Sequence, residues 1–449
     1  MAWYNNIFNG NKPKTKQFKR SYQGANTGRL FADFFTSSNS ADAEIKDNLR
    51  ILRDRARELS RNDSYISRYL ALMVSNIIGK HGIRVSSKSR NDNNSLDLRA
   101  NQLIEKAWND WGRMGNCTAN GRMSFLDCQK LAVESLFRDG EVLIRKIKNK
   151  NNPFGFELAF LESDHLDENL NDNNLKNGNK IKMGVELNNF GRPVAYHLFK
   201  DHPFDQTYQT ENYHIRVPAE EIIHIFMPTR PEQTRGVTPI ATCMANIQLL
   251  KGYLQAEITS ARIGASKMGF LVSGSGDEYV GDGIDDDGFS PTMSAEPGTF
   301  EQLPSGVTLQ SWDPSHPNSA FDGFMTSVLR SIASGLNISY HSLSNDLSSV
   351  NYSSIRQGAL EDRSSFALHQ QLLIDHFIEP VYRSWLEMAI STGYINLPIN
   401  KYNKFADSVS FIPRSFPWID PLKEMQAHIL GLQNGTTTYS DIASNAGRD

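Results

Sequence analysis

Apolar residues recur at helical intervals along most of the chain and at alternating intervals only in its middle. From Asp47 to Ile78, Leu49, Leu52, Ala56 and Leu59, then Ile66, Tyr69, Leu70, Met73 and Ile77, mark the inner faces of two helices, with Asn62-Asp63 as the break between them. Residues 100 to 138 read as further helices through Leu103, Ile104, Ala107, Trp108 and Trp111, then Phe125, Leu131, Ala132 and Leu136. After Arg138-Asp139-Gly140 the pattern changes to strands. GEVLIRKI, FELAFLE, KMGVELNNFGRPVAYHLF and EEIIHIFM combine β-branched and aromatic residues with turn residues between them, and Asn189-Phe190-Gly191 predicts a hairpin turn.

At Thr238-Pro239 a long helix begins, with Thr suited to the N-cap and Pro to the first helical position. Ile240, Met244, Ile247, Leu250, Leu254 and Ile258 form its apolar stripe, and the pattern persists to about Met268, on the order of 45 Å. A Gly/Asp/Ser/Pro-rich stretch with short strand-like pieces follows, too irregular for a packed layer by itself. A second helix spans Phe321 to Gly335, then a polar loop runs from Asn337 to Tyr352. The last long helix extends from about Ser353 to Ile390, with Leu373, Phe377, Val381, Trp385 and Met388 on one stripe; Pro380 inside it predicts a kink near Phe377. At on the order of 55 Å, such a helix is longer than a compact monomer needs and suggests a subunit that completes part of its core with neighbours. The fold class expected is α+β, predominantly helical.

Charge alters this picture little. Lys plus Arg total 47 against 50 Asp plus Glu, a formal net charge of -3, so any contact with nucleic acid is local or weak. The first thirty residues carry Lys12, Lys14, Lys16, Lys19, Arg20 and Arg29 with no acid, an arm that either touches phosphate or an acidic partner or is simply a solvated tail. Arg50, Arg53, Arg55, Arg57, Arg61 and Arg68 are interleaved with Asp54, Glu58 and Asp63, which favours pairing on the helix surface over a DNA-reading helix. Cys117, Cys128 and Cys243 have neither CxxC nor zinc-ligand spacing, as expected in a reducing compartment. No apolar run approaches the roughly 20 residues needed to span a bilayer, and the start lacks the apolar core of a secretory signal, so a protein assembled in a cytoplasm is expected.

Catalytic signatures are missing. There is no GxxxxGK[ST] loop, HExxH helix, GxSxG turn or kinase motif. GSGDEYVGDG lacks GxGxxG spacing and a following helix, so it reads as a turn. In the acidic run from Gly281 to Gly288, Ile284 falls where a third calcium ligand belongs, which leaves an exposed acidic loop. His165 stands beside Asp164 and Asp167 without a second His nearby, His224 reads as a hydrogen-bonded strand residue, and nothing in the sequence joins Glu134 to Glu141 as an acid/base pair. No enzyme, cofactor or metal is expected. The competing readings are a metal-dependent DNA-processing enzyme, which needs clustered carboxylates, and a sequence-specific DNA-binding protein, which needs a basic recognition helix.

The segment from Leu343 to Arg356, LSNDLSSVNYSSIR, continued by Gly358-Ala359-Leu360-Glu361-Asp362-Arg363, resembles the signature of lambda-type tailed-bacteriophage portal proteins. LRDRARELSRNDSYISRYL, GVELNNFGRPVAYHLF, VPAEEIIHIFMPTRPEQTRGVTPIA, FDGFMTSVLRSIASGLNISYHSLS and FPWIDPLKEMQAHILGLQNGTTTYSDI agree with that family in order, over roughly residues 45 to 440. The resemblance implies a ring, generally dodecameric, at one capsid vertex. It also implies a conduit for double-stranded DNA in packaging and ejection. The implied partners are the major capsid and scaffold proteins, the terminase large subunit and later head-completion or adaptor proteins. The place implied is the virion, with the host cytoplasm during assembly.

By element order the resemblance implies a flexible basic arm at 1–44, a wing at 45–237 and a stem helix at 238–268. It further implies a clip at 269–318, a second stem helix at 319–336, a channel loop at 337–352, a long kinked wing helix at 353–391 and a crown at 392–449. In the channel loop, Ser342, Ser344, Asn345, Ser348, Ser349 and Asn351 offer short hydrogen bonds, Asp346 repels phosphate, and no Lys or Arg occurs between Arg330 and Arg356. Lys251, Arg262 and Lys267 on the first stem helix are candidates for DNA or intersubunit contacts. Asp282, Asp285, Asp286 and Asp287 are candidates for docking at the clip.

Overall fold

The computed structural model of the chain describes residues 38–205, 214–265, 269–273, 307–311, 320–348, 352–416 and 421–445, together with Arg29. Ser40 caps α1 (Ala41–Lys46), and the arginine-rich segment follows as α2 (Leu49–Asn62). The expected break is made by Asp63, whose carboxylate accepts from the N–H groups of Tyr65 and Ile66 and so starts α3 (Ser64–Ile77). A short strand, β1 (Arg84–Ser87), leads to α4 (Leu98–Trp111) and α5 (Phe125–Asp139). Helix α5 opens on a reciprocal Ser124/Asp127 capping box and ends on Gly140 in the left-handed region, φ 90°.

The strand region comprises β2 (Glu141–Lys148), β3 (Phe156–Leu161), β4 (Lys180–Lys182), β5 (Val185–Leu187), β6 (Pro193–Phe199), β7 (His214–Pro218) and β8 (Ile222–Phe226). All pair antiparallel, in two sheets ordered β3-β2-β8 and β4-β5-β6-β7. The expected hairpin turn is held by Asn188, whose side-chain oxygen accepts from the N–H groups of Phe190 and Arg192. The sequence pattern missed β7, an edge strand with Ile215 and Arg216 both exposed, because no alternation marks it.

Thr238 and Pro239 open the next helical segment through one 3₁₀ turn, Pro239–Thr242, before α6 (Met244–Ala265). Ile240, Met244, Ile247 and Leu250 of its stripe are buried and Leu254 partly so, whereas Ile258 is 58% exposed. This chain therefore covers only the first half of the stripe. Strands β9 (Gly269–Ser273) and β10 (Val307–Ser311) pair antiparallel and join the two ends of the irregular stretch, ahead of α7 (Phe321–Gly335). Residues 337–352, expected as a loop throughout, contain a five-residue helix, α8 (Tyr340–Ser344), capped by Ser339.

The long helix is present as α9 (Tyr352–Leu373), a π turn at Ile374–Ile378 and α10 (Glu379–Ser391). Pro380 has no N–H to return to the preceding turn, and the widened turn before it absorbs the missing bond. The chain then forms α11 (Tyr402–Asp407), β11 (Val409–Ile412), α12 (Pro421–Gln433) and α13 (Tyr439–Asn445). Strand β11 pairs antiparallel with β1, setting Phe411 opposite Val85, so residues just after α11 are built onto the N-terminal helices.

The main core gathers around Trp108, whose ring centroid lies 4.9 Å from Trp111, 4.9 Å from Trp385, 5.0 Å from Phe125 and 5.6 Å from Tyr382. Leu373, Phe377, Val381 and Trp385 are buried in it and Met388 packs at its edge, as the stripe required. A smaller core of Leu143, Leu166, Val185, Tyr196, Leu198, Val217 and Ile222 joins the two sheets. All three cysteines are buried free thiols.

The arginines of α2 depart from the expected pairing. Arg50 does pair within its helix, 3.9 Å from Asp54. Arg53, 2% exposed, instead reaches Asp164 at 3.0 Å and Glu168 at 3.6 Å. Arg57 holds Asp139 at 3.0 Å and Asp164 at 2.7 Å. Their role is structural, as expected, but the partners lie on other elements because a buried guanidinium needs several fixed acceptors at once.

Candidate functional site

The segment between α7 and α9 is anchored at one carboxylate. Asp362 of α9, nearly buried, accepts from the Ser339 N–H at 2.8 Å, the Ser339 hydroxyl at 2.8 Å and the Ser342 hydroxyl at 2.6 Å. Ser342 is thereby committed to the scaffold. Its carbonyl also accepts from Arg68 Nε at 3.1 Å, and the same guanidinium reaches Asn345 Oδ1 at 3.4 Å, which ties the segment to α3. Asn345 takes the left-handed conformation, φ 57°, that ends α8.

Asp346 organises the next turn. It accepts from the Ser348 hydroxyl at 2.6 Å, the Ser348 N–H at 3.0 Å and the Tyr340 hydroxyl at 2.9 Å. These bonds, the Ser348 hydroxyl first among them, hold the Asp346 carboxyl below its ordinary value, so the negative charge expected at this position is kept. Ser344 donates back to the Tyr340 carbonyl at 2.8 Å and accepts from the Asp346 N–H. Thus Ser342, Ser344, Asn345, Asp346 and Ser348 come together on one short ordered segment, while Ser349 and Asn351 lie outside the described residues.

Of the expected stem cations, Lys251 Nζ lies 3.8 Å from Glu58 of α2, both side chains partly exposed, a pairing worth little in water. Arg262 is exposed near the end of α6. Lys267 and the acidic Asp282, Asp285, Asp286 and Asp287 lie outside the described residues, as do the glycine-rich turn and the rest of the basic arm before Asn39 other than Arg29 and Ser38.

Where the strands meet the segment that leads into α6, the structure assembles a buried group that sequence reading left unconnected. Glu141, at the start of β2, receives Arg235, the Gly236 N–H at 3.0 Å and His224 Nε2 at 3.0 Å. Arg235 spends its remaining donors on the carbonyls of Leu166, Met183 and Ser163. Complete burial opposes ionisation of Glu141, yet the charge of Arg235 and the bonds from His224 and Arg235 hold its carboxyl well below the usual range. Gly236 is required here, since a Cβ would sit 2.2 Å from the Gly140 carbonyl oxygen. The only sequence trace of this joint is the TRG within the family-like segment before Val237.

The histidine and carboxylate groups weighed for catalysis are structural in their contacts. His224 serves Glu141. His165 Nδ1 lies 3.2 Å from the Phe199 carbonyl, and Asp167 pairs with His214 at 3.0 Å. Glu162, Asp164 and His202 bring ligand-type atoms within 4.8 Å of one another. The guanidinium of Arg57 already lies against both of those carboxylates, at 2.7 Å from Asp164 and 3.5 Å from Glu162, and supplies the positive charge there. Glu134 pairs with Arg138 at 3.4 Å, away from Glu141's partners. Among the described residues no helix is long and apolar enough to cross a membrane.

The chain belongs to the lambda family of phage portal proteins, whose family model matches residues 27–370. It is 34% identical over 444 residues to the probable portal protein of Halomonas phage phiHAP-1, an alignment covering 97% of this chain and 85% of that relative. The portal protein of Escherichia phage N15 is 23% identical, with 92% and 84% covered. Portal protein B of Escherichia phage lambda is 22% identical, with 95% and 86% covered. Among solved structures, a chain from the neck of an empty GTA particle aligns with TM-score 0.46 and 12% identity, covering 88% of this chain and 94% of that one. A chain from the virion of a native gene transfer agent particle gives TM-score 0.45 and 11% identity, with 94% and 99% covered.

Proposed function

We propose that copies of this chain close into a ring, a dodecamer as is general for portal proteins, at one vertex of the capsid. Double-stranded DNA passes through the ring during packaging and ejection. Residues 45–237 with 353–391 form the wing, 238–268 and 319–336 the stem, 269–318 the clip and 392–449 the crown, and 337–352 faces the channel. The protein is a structural conduit rather than an enzyme, placed in the virion and assembled in the host cytoplasm with major capsid and scaffold proteins.

The observation that carries this reading is the chemistry of the segment anchored at Asp362. A conduit has to let a polyanion slide, and each strong phosphate contact adds affinity through counterion release. The segment offers short hydroxyl and amide groups and one ionised carboxylate, Asp346, with no Lys or Arg between Arg330 and Arg356. Its ties to Asp362 and Arg68 keep it from collapsing onto the phosphates. Contact with DNA is therefore weak, polar and blind to sequence. The half-covered stripe of α6, with Ile258 exposed, supports neighbours packing along the stem.

In the same reading, Lys251, Arg262 and Lys267 meet DNA or the adjacent subunit. Asp282, Asp285, Asp286 and Asp287 in the clip attract basic surfaces of the terminase large subunit and later of the head-completion adaptor. Neutralising the four aspartates weakens terminase binding if this is correct; unchanged binding and packaging would remove that role. Negative-stain microscopy of the purified chain tests the whole reading. Rings with a central hole are expected, and a monomer at every concentration would defeat it.

A further inference from the structure

A cleft of about 1060 Å³ runs beside α2, α3 and α5 and serves none of the roles above. Its lining combines apolar surface from Leu70, Ala71 and Val74 of α3 with six cations, among them Arg61, Lys80 and Arg414, against two carboxylates, Glu134 and Glu162, which pair with Arg138 and Arg57. Among the described residues, Arg61 and Lys80 have no carboxylate partner. Arg414 bonds to neutral groups, the Ser75 carbonyl and Asn76 Oδ1, and burial together with nearby Arg363 pulls its guanidinium below the ordinary value. Arg61 and Lys80 flank the two ends of α3, whose 14 residues span about 21 Å.

The outer face of α9 and of the π turn that continues it carries the reverse pattern. Glu361, Leu368 and Asp375 recur at seven-residue intervals, which keeps them close to one face. Leu368 is 73% exposed. The two acids accept from neutral amides, Gln357 at 3.2 Å and Gln371 at 2.8 Å, and neither has a cation partner among the described residues. Their separation along the helix, about 21 Å, equals the length of α3. A closed ring joins two different surfaces of each copy. A basic cleft with apolar lining on one surface is complementary to an acidic ridge with an apolar centre on the other.

We propose that the cleft of one subunit receives the Glu361–Leu368–Asp375 ridge of the next copy, the two carboxylates meeting the unpaired cations and Leu368 covering Ala71 and Val74. This rests on the ring reading, and it names the contact that closes the ring.

Charge exchange in the full chain is the test, read as the fraction assembled by light scattering and microscopy, with circular dichroism reporting the fold. Arg61→Glu with Lys80→Glu, and separately Glu361→Lys with Asp375→Lys, each lower the ring fraction by about tenfold or more. All four substitutions in one chain restore at least about half of it, because the charges match again. Assembly within about twofold of wild type in either pair, or no recovery in the fourfold variant, overturns the proposal. As a second measurement, Ala71→Cys with Leu368→Cys gives ladders of disulfide-linked copies under oxidation; monomer alone on the gel overturns it. Wild-type chains that never form rings sink the ring reading and this contact with it. Rings that ignore both exchanges sink only the contact.

Discussion

Arg235 Nε lies 3.0 Å from each carboxylate oxygen of Glu141, and both side chains are 0% exposed. The pair joins the start of β2 to the segment that enters α6, and Arg235 also collects the carbonyls of Ser163 and Leu166 after β3 and of Met183 between β4 and β5. Taking both ions out of water costs several kcal/mol each, at the order-of-magnitude level, and is offset only because nearly every donor and acceptor is used. Such a joint fixes one orientation of the strands against the start of α6.

Removing one member leaves an uncompensated buried charge. Arg235→Ala is expected to lose about 3–5 kcal/mol of stability in urea unfolding. Arg235→Lys, with three donors in place of five, retains only part of it. A loss under about 1 kcal/mol for the alanine variant would show that the joint is not a stabilising hub.

Gly236→Ala pushes a Cβ to 2.2 Å from the Gly140 carbonyl oxygen and 2.6 Å from the Phe226 Cβ. Neither neighbour is a flexible side-chain end, so a loss of about 3 kcal/mol or failure to accumulate as soluble protein is expected. Gly191→Ala, where φ is 77° but nothing lies within 4 Å, serves as the comparison and should cost about 1 kcal/mol. Thermal unfolding of the two variants side by side checks the order, and equal melting temperatures would refute it.

Asp362→Ala takes the acceptor from the Ser339 N–H and from two hydroxyls. A destabilisation of about 1–3 kcal/mol follows from leaving those donors unsatisfied. Faster hydrogen exchange at the Ser339 amide is expected with it, while Asp362→Asn, which keeps a carbonyl oxygen, shows the smaller effect. Unchanged exchange at Ser339 in the alanine variant would count against the anchor.

Glu186 supplies an acid-sensitive contact. Its carboxyl, 2% exposed, is pushed down to about 2, by Arg216 first, against the opposing effect of burial, and further by Asn179, Asn177 and His197. A depressed folded value means that the contribution is full above the unfolded value of 4.5 and is lost as pH falls toward 2. Stability of the wild type should therefore fall over that window more steeply than that of Glu186→Gln. Parallel acid-unfolding curves would contradict the prediction. Because Arg216 is 49% exposed, salt should lessen the difference.

Local pattern was legible to a large degree. The stripe of Leu373, Phe377, Val381 and Trp385 lies in the core as expected, the Asp63 break and the Thr238-Pro239 start fall where capping chemistry put them, and the Asn188–Gly191 turn forms. The interruption before Pro380 was visible too, though as a π turn. Each of these depends on residues within one or two turns of each other. The long-range links were not legible. The pairing of β1 with β11, and the choice of Asp164 and Asp139 rather than helix neighbours for Arg53 and Arg57, have no marker in spacing.

The candidate site divides the same way. Its short polar residues, its lack of Lys and Arg and its likeness to the portal family could be read along the chain, and the family match bears out that likeness. Which of those residues are spent on the scaffold was decided only when folding brought Asp362 and Arg68 beside them. Periodicity and capping are short-range and written in neighbouring residues. The desolvated pairings of Glu141 with Arg235 and of Ser342 with Asp362 depend on which groups share a buried space, and that exists only once the elements have packed.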